Sequence, residues 1–206
     1  MKPLFITGIG TDVGKTVVSA TLVEKLKCDY WKPVQTGDLN HSDTMKVKAL
    51  ISNKVSVFHQ ESYRLTQPFS PHKSAALDGI EIDLNKIQVP ETDTQLLIEG
   101  AGGLMVPLND KQFIIDLIVH LQAEVILVVK HYLGSINHTL LSLDILKHRN
   151  IEVKGIIFNG DPDEYSESVI LNYSGAKLLG RVPLVTNLDK QSIKVLAEQI
   201  NTGAWG

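Results

Sequence analysis

Gly8-Ile9-Gly10-Thr11-Asp12-Val13-Gly14-Lys15-Thr16 is the stretch that decides the fold. It follows a short apolar run (Leu4, Phe5, Ile6) and opens a segment in which Val18, Leu22 and Leu26 recur at i, i+4 and i+8. A glycine loop between a strand and a helix turns backbone N–H groups toward phosphate oxygens, and the helix N-terminus adds partial positive charge. Lys15 can reach the terminal phosphates, and the Thr16 hydroxyl suits the Mg²⁺ they carry. The usual pattern has four residues between its first glycine and Gly-Lys-Thr. Here five follow Gly8, and Ile9 stands where the pattern has glycine. A chance Gly-Lys-Thr is the bland alternative. The order strand, glycines, Lys-Thr, helix favours a nucleoside triphosphate site.

At 206 residues, with 43% hydrophobic residues and a net charge of −3, the chain suits a soluble α/β protein with a full-sized core. Such a charge gives no reason to expect nucleic acid or an anionic membrane as partner. No apolar run approaches the roughly 20 residues that span a bilayer. The N-terminus shows one lysine and then a strand pattern, with no signal-like apolar core, so a cytoplasmic protein is expected. Cys28 is the only cysteine and reads as a passive thiol, and the seven histidines lack metal-binding spacing.

Strand-like aliphatic runs fall at residues 3–7, 30–33, 95–99, 125–130, 153–159 and 177–182, mostly without alternation, as in strands covered on both faces. Helical patterns at 43–51, 113–121, 136–148, 164–172 and 191–200 lie between them. The expectation is a single domain over residues 1–206: a doubly wound α/β fold with a mainly parallel sheet and helices on both faces. Residues 55–79, with Pro68, Pro71 and Gly79, read as an irregular crossover that walls the site. The 136–148 helix is apolar on more than one face (Ile136, Leu140, Leu141, Leu143, Ile145), which fits either the core or a subunit interface. No role is derivable for residues 203–206.

Ligands of open α/β sheets sit at the carboxyl ends of the strands. Lys32-Pro33-Val34-Gln35-Thr36-Gly37 follows the second strand, bringing a second lysine and a hydroxyl to that edge. Glu99 ends an apolar strand (Leu96, Leu97, Ile98) and leads into Gly100-Ala101-Gly102-Gly103. A buried acid needs a cation: either Mg²⁺ shared with Thr16 and phosphate, or a lysine such as Lys32 or Lys15. Asp43 suits a second metal ligand or an acid in the first turn of a helix. Lys32 is either a solvated strand-end lysine or a second cation that holds another anion against the γ-phosphate, which would serve phosphoryl transfer. Thr11 and Thr36 stand near the two lysines.

Taken together these residues resemble the dethiobiotin synthetases. The extra-residue phosphate loop, Lys32-Pro33-Val34 with Thr36-Gly37, Ser42-Asp43, Ser70-Pro71-His72, Glu99-Gly100-Ala101-Gly102-Gly103, Leu133-Gly134 with Ile136-Asn137-His138, Asn159 and Pro183 follow that family's order along nearly the whole chain. The resemblance implies the P-loop NTPase type of fold, a homodimer, ATP as co-substrate with Mg²⁺, and 7,8-diaminononanoate and CO₂ or bicarbonate as the other reactants. It implies catalysis by Lys32, Lys15 and Thr11, and metal ligation by Thr16, Asp43 and Glu99. Nucleotide contacts are implied for Asp12, Val13, Gly14, Lys15, Thr16 and Val17, then for Glu99, Gly100, Ala101 and Gly102. Asn159, Gly160, Pro183, Leu184 and Val185 belong to the adenine side. Thr11 and Thr36 would orient the substrate, with Gly134 and Asn137 near the subunit interface. Asp12 departs from relatives that carry Glu there. The rival reading is a dimeric ATPase switch of the septum-placing or partitioning type, whose loop has a lysine where Gly10 stands. A small-molecule kinase would need a catalytic base that no residue declares.

Overall fold

Leu4 and Ile6 pack into one apolar cluster and their neighbour Phe5 into another, so the first strand must be covered on both sides. The computed structural model, which describes residues 1–201 and Gly203, places them in β1 (Leu4–Gly8) near the middle of a sheet. β2 (Asp29–Trp31), β4 (Phe58–His59), β6 (Leu96–Gly103), β7 (Glu124–Lys130), β8 (Val153–Asn159) and β9 (Leu178–Val182) complete it in the order β4-β2-β6-β1-β7-β8-β9. Every pairing is parallel. The period of two then explains the unalternating runs: in β6, Leu97 joins one cluster while Leu96 and Ile98 join the other.

Helices α1 (Lys15–Leu26), α2 (Asp43–Leu50) and α7 (Lys190–Glu198) pack against one another over the Leu97 face, and α4 (Ile114–His120) covers the Ile98 face. α3 (Pro71–Leu77), α5 (Ser135–His148) and α6 (Glu164–Ser174) complete the set. Parallel pairing fixes where the loops meet. Ile6 pairs with Glu99 and Trp31 with Ile98, so the phosphate loop, Lys32 and Glu99 leave the sheet side by side.

The structure corrects several boundaries. The 30–33 run ends at Trp31, because Pro33 has no N–H to donate and its carbonyl instead accepts from Tyr63 N. The chain then forms a separate two-stranded parallel sheet, β3 (Val34–Thr36) with β5 (Tyr63–Leu65). The irregular stretch 55–79 therefore holds β4, β5 and α3, elements of two, three and seven residues that are too short to show a period. β6 runs on through its glycines to Gly103, with a bulge opposite β1, where the composition suggests a loop. α5 is not buried all round: Thr139 and Leu146 face inward, but Leu141 is 59% exposed. Thr202 and residues 204–206, most of the tail without an assigned role, lie outside the described residues. Cys28 is buried, and burial pushes its thiol up to about 12, as expected of a passive thiol.

Glu24 ties α1 to the chain beyond α2. Its carboxylate accepts from Ser52 N (2.7 Å), Ser52 Oγ (2.9 Å), Asn53 N (3.0 Å) and Lys27 Nζ (2.6 Å). Burial disfavours the charge, but these donors outweigh it and lower the pKa to about 2. The stabilisation is therefore complete above the ordinary carboxylate value near 4.3 and is lost as pH falls from there through about 2. Glu24→Gln should cost about 2 kcal/mol at pH 7. In urea titrations over a pH series the gap to the unsubstituted chain should close below pH ~4; a gap independent of pH would deny the carboxylate this part.

Candidate active site

Backbone geometry shapes the phosphate loop first. Gly14 caps α1 with φ 90°, in the left-handed region. A Cβ there would lie 2.1 Å from Asn159 Nδ2, whose amide donates to Val13 O at 2.9 Å. Asn159, at the end of β8, thus braces the loop from behind. Asp12 also has positive φ (56°), which a short polar side chain tolerates better than most. Lys15 Nζ donates back to Gly10 O at 3.2 Å, across the hollow of the loop.

Next to this loop lies a cavity of about 370 Å³. Thr11, Asp12, Gly14, Lys15 and Thr16 line one side, and Lys32, Gln35, Thr36 and Asp43 the other. Glu99, Gly100, Ala101 and Gly102 form the floor. At its centre Lys32, only 4% exposed, places Nζ 2.8 Å from Asp43 Oδ2 and 3.3 Å from Glu99 Oε1. Thr16 Oγ1 donates to the same Glu99 oxygen at 2.9 Å. Glu99 thus pairs with Lys32 and also meets Thr16, while Asp43 pairs with Lys32 from the first turn of α2. Ser42 takes the capping position of α2, its Oγ accepting from Met45 N, which leaves the Asp43 carboxylate for the cavity.

Charge follows from burial and neighbours. Burial pulls the Lys32 ammonium down, but Glu99 and Asp43 together outweigh it and hold it above its ordinary value. Lys15 goes the other way: burial lowers it, and Glu99 offsets only part of the effect. Burial alone would raise Asp43, yet Lys32 keeps it below the usual carboxylate range. The Thr16 hydroxyl and two carboxylates are hard oxygen donors beside the phosphate loop, a set that suits Mg²⁺ and no soft metal. Among the described residues no group of three or more His, Cys, Asp or Glu is placed to hold a metal ion.

Other expected residues sit elsewhere. Val13 is buried in the core, and Val17 packs against the same cluster. Gly160 and Pro183 follow β8 and β9 at the same edge of the sheet, with Leu184 and Val185 exposed beyond them. Gly134 and Asn137 are exposed at the start of α5 and do not line the cavity. His72 is exposed in the first turn of α3. Two participants escaped the sequence reading. Gln35 Oε1 accepts from Asp43 N at 3.2 Å, and the Tyr30 hydroxyl donates to Glu99 Oε2 at 2.9 Å. A glutamine inside the Lys32–Gly37 motif was a signal within reach; a tyrosine in an apolar strand gives none.

Gly14→Ala should clash with Asn159 and strain the backbone by about 1–3 kcal/mol. Calorimetry should show ATP affinity falling roughly 10- to 100-fold with the circular dichroism of the fold retained. Unchanged affinity would mean that the loop does not need this geometry.

Among solved structures, the chain resembles the septum site-determining protein MinD complexed with Mg-ADP from Pyrococcus horikoshii OT3 (TM-score 0.60, 13% identity, 99% of this chain and 98% of that one). It also resembles a ParA family ATPase from Chlorobium tepidum TLS (TM-score 0.56, 11% identity, 97% and 100%). At such identities the likeness concerns the fold, a P-loop NTPase type of α/β sheet, and not the activity. The AAA_26 family, described as an AAA domain, matches residues 2–192. Curated relatives named ATP-dependent dethiobiotin synthetase BioD are far more similar in sequence. The protein from Christiangramia forsetii is 54% identical over 96% of this chain and 95% of its own length, and that from Agrobacterium fabrum is 42% identical over 95% and 93%. With Lys15, Lys32, Asp43 and Glu99 gathered in one cavity, and relatives this close along nearly its full length, the chain belongs to the dethiobiotin synthetase family.

Proposed function

We propose that this protein is an ATP-dependent ligase that carboxylates 7,8-diaminononanoate and closes the ureido ring of dethiobiotin. The observation that carries the proposal is the buried Lys32 ammonium facing two carboxylates beside the phosphate loop. The switch type would carry its additional lysine within the phosphate loop, where Gly10 stands here, whereas Lys32 follows β2. A second buried cation on the same cavity is the device that lets an anionic acceptor approach an anionic donor.

The chemistry runs in three steps. One amine adds to CO₂ and loses a proton, giving a carbamate. A carbamate oxygen attacks the γ-phosphorus of ATP, ADP leaves, and a carbamic-phosphoric anhydride forms. The second amine attacks the carbonyl carbon, phosphate departs, and the amine proton is released as the ring closes. Lys15 neutralises the terminal phosphates, Lys32 the carbamate and the γ-phosphate it meets. Thr11 and Thr36 orient the diamine and carbamate by hydrogen bonds. Thr16, Asp43 and Glu99 would hold Mg²⁺, which neutralises phosphate charge when bound. Asn159, Gly160, Pro183, Leu184 and Val185 form the adenine side.

We also propose that the protein acts as a cytoplasmic homodimer, with one domain per chain. An apolar hollow of about 660 Å³ adjoins the site through Gly10 and Thr11 and reaches Met105 and Leu141, both more than half exposed. Such a surface suits a covered face. The substrate's carboxylate would lie near Gly134 and Asn137, at a helix N-terminus. Among the described residues no helix is long and apolar enough to cross a membrane.

ADP release should depend on both diaminononanoate and bicarbonate; release indifferent to either would favour the switch. Lys32→Ala should cut kcat by roughly 10²–10³ while ATP affinity holds. A fall in affinity matching that of Lys15→Ala would remove Lys32 from the acceptor side. Light scattering should give twice the chain mass, and Leu141→Asp should shift the protein toward monomer; a monomer before substitution would end the dimer proposal.

A further inference from the structure

Strand geometry puts an unexpected side chain behind Glu99. Tyr30 and Lys32 lie two residues apart, so they project to the same side of the chain as it leaves β2, and Leu97 and Glu99 do likewise on β6. The parallel register sets Tyr30 opposite Leu97, which points the tyrosine along the sheet toward Glu99. Its hydroxyl reaches Oε2 at 2.9 Å, while Thr16 and Lys32 donate to Oε1 at 2.9 and 3.3 Å. The two oxygens of one carboxylate thus have separate duties. The ring is fully buried, and it stacks at a tilt on Phe58 of the edge strand β4, with centroids 5.6 Å apart.

We propose that Tyr30 is a positioning residue for the ligase reaction: its hydroxyl pins Oε2 of Glu99 so that Oε1 stays turned toward Thr16 and the metal–phosphate site. This rests on the reading that Glu99 serves that site. Thr16 donates its proton to Oε1, and this leaves the lone pairs of its own oxygen for a cation. Without the Tyr30 hydroxyl, Oε2 becomes a buried charged oxygen with no donor, a costly state. The carboxylate then relieves it by turning and recruiting Thr16 or Lys32 to the wrong oxygen. Partners that orient a ligand in this way commonly set metal affinity by 10- to 100-fold.

The test is calorimetry on the full chain with a non-hydrolysable ATP analogue, titrated with Mg²⁺ and repeated in EDTA. Tyr30→Phe removes one oxygen and keeps the ring. It should raise the Mg²⁺ concentration for half-maximal nucleotide binding about tenfold, leaving affinity in EDTA and the urea midpoint close to those of the unsubstituted chain. Phe58→Leu loosens the same packing without touching the hydroxyl, and it should not move the Mg²⁺ response. Two results overturn the proposal while sparing the site: an unchanged response in Tyr30→Phe where Glu99→Gln shifts it, or an equal shift in Phe58→Leu. An unchanged response in Glu99→Gln as well removes Glu99 from the metal–phosphate site, and the proposal falls with it.

Discussion

A buried ammonium between two carboxylates is the constraint on which the site depends. Lys32, Asp43 and Glu99 are all shielded by the protein, Asp43 least, and none of them is stable there alone. Removing Lys32 leaves two carboxylates facing each other in a poorly solvated space, at a cost of several kcal/mol, whereas removing either acid leaves a single ion pair. The three charges line the cavity together before any reactant arrives. Catalysis that consists of bringing anions together gains most from charges already in place, because no reorganisation is needed when the transition state forms.

The sheet order makes that cluster possible. Glu99 comes from β6, Lys32 from the end of β2 and Thr16 from the helix after β1, and these three strands are adjacent. Parallel pairing brings their carboxyl ends to one edge without long loops. Asp43 alone arrives from outside the sheet. Its helix is fixed from behind: Glu61 accepts from Thr44 Oγ1 at 2.7 Å and from Ser42 Oγ at 3.4 Å, on either side of Asp43, while Gln35 takes the Asp43 N–H. The small β3–β5 sheet thus has a function: it carries Gln35 and, just before β5, Glu61, the two side chains that aim α2.

What the sequence made legible was local. The phosphate loop, Lys32 and Glu99 each sit where a strand ends, and a strand end is visible from a few consecutive residues. Asp43 was readable as an acid in the first turn of a helix, but its pairing with Lys32 came only with the structure. The unread parts are those decided across the sheet. Tyr30 looks like any other core aromatic in the run Tyr30-Trp31; only the register that sets it opposite Leu97 turns its hydroxyl into a partner of Glu99. β4 and β5 have two and three residues, and such strands exist only because a neighbour supplies the other half of the ladder. The glycines of β6 misled in the opposite direction. Composition reads them as loop, yet Gly100 lies where a Cβ would come within 2.6 Å of the Phe5 ring, so they are the condition for that strand to continue past Glu99.

Asn159 shows how far a residue's motif can differ from its mechanical work. It is the last residue of β8, and the family resemblance assigns that place to the base side. Its amide gives one N–H to Val13 O, and its body occupies the space beside Gly14. The same side chain therefore couples the phosphate loop to the strand end where adenine would be read. If the base side and the phosphate side share one brace, an adenine that seats against this edge stiffens the loop that grips the triphosphate.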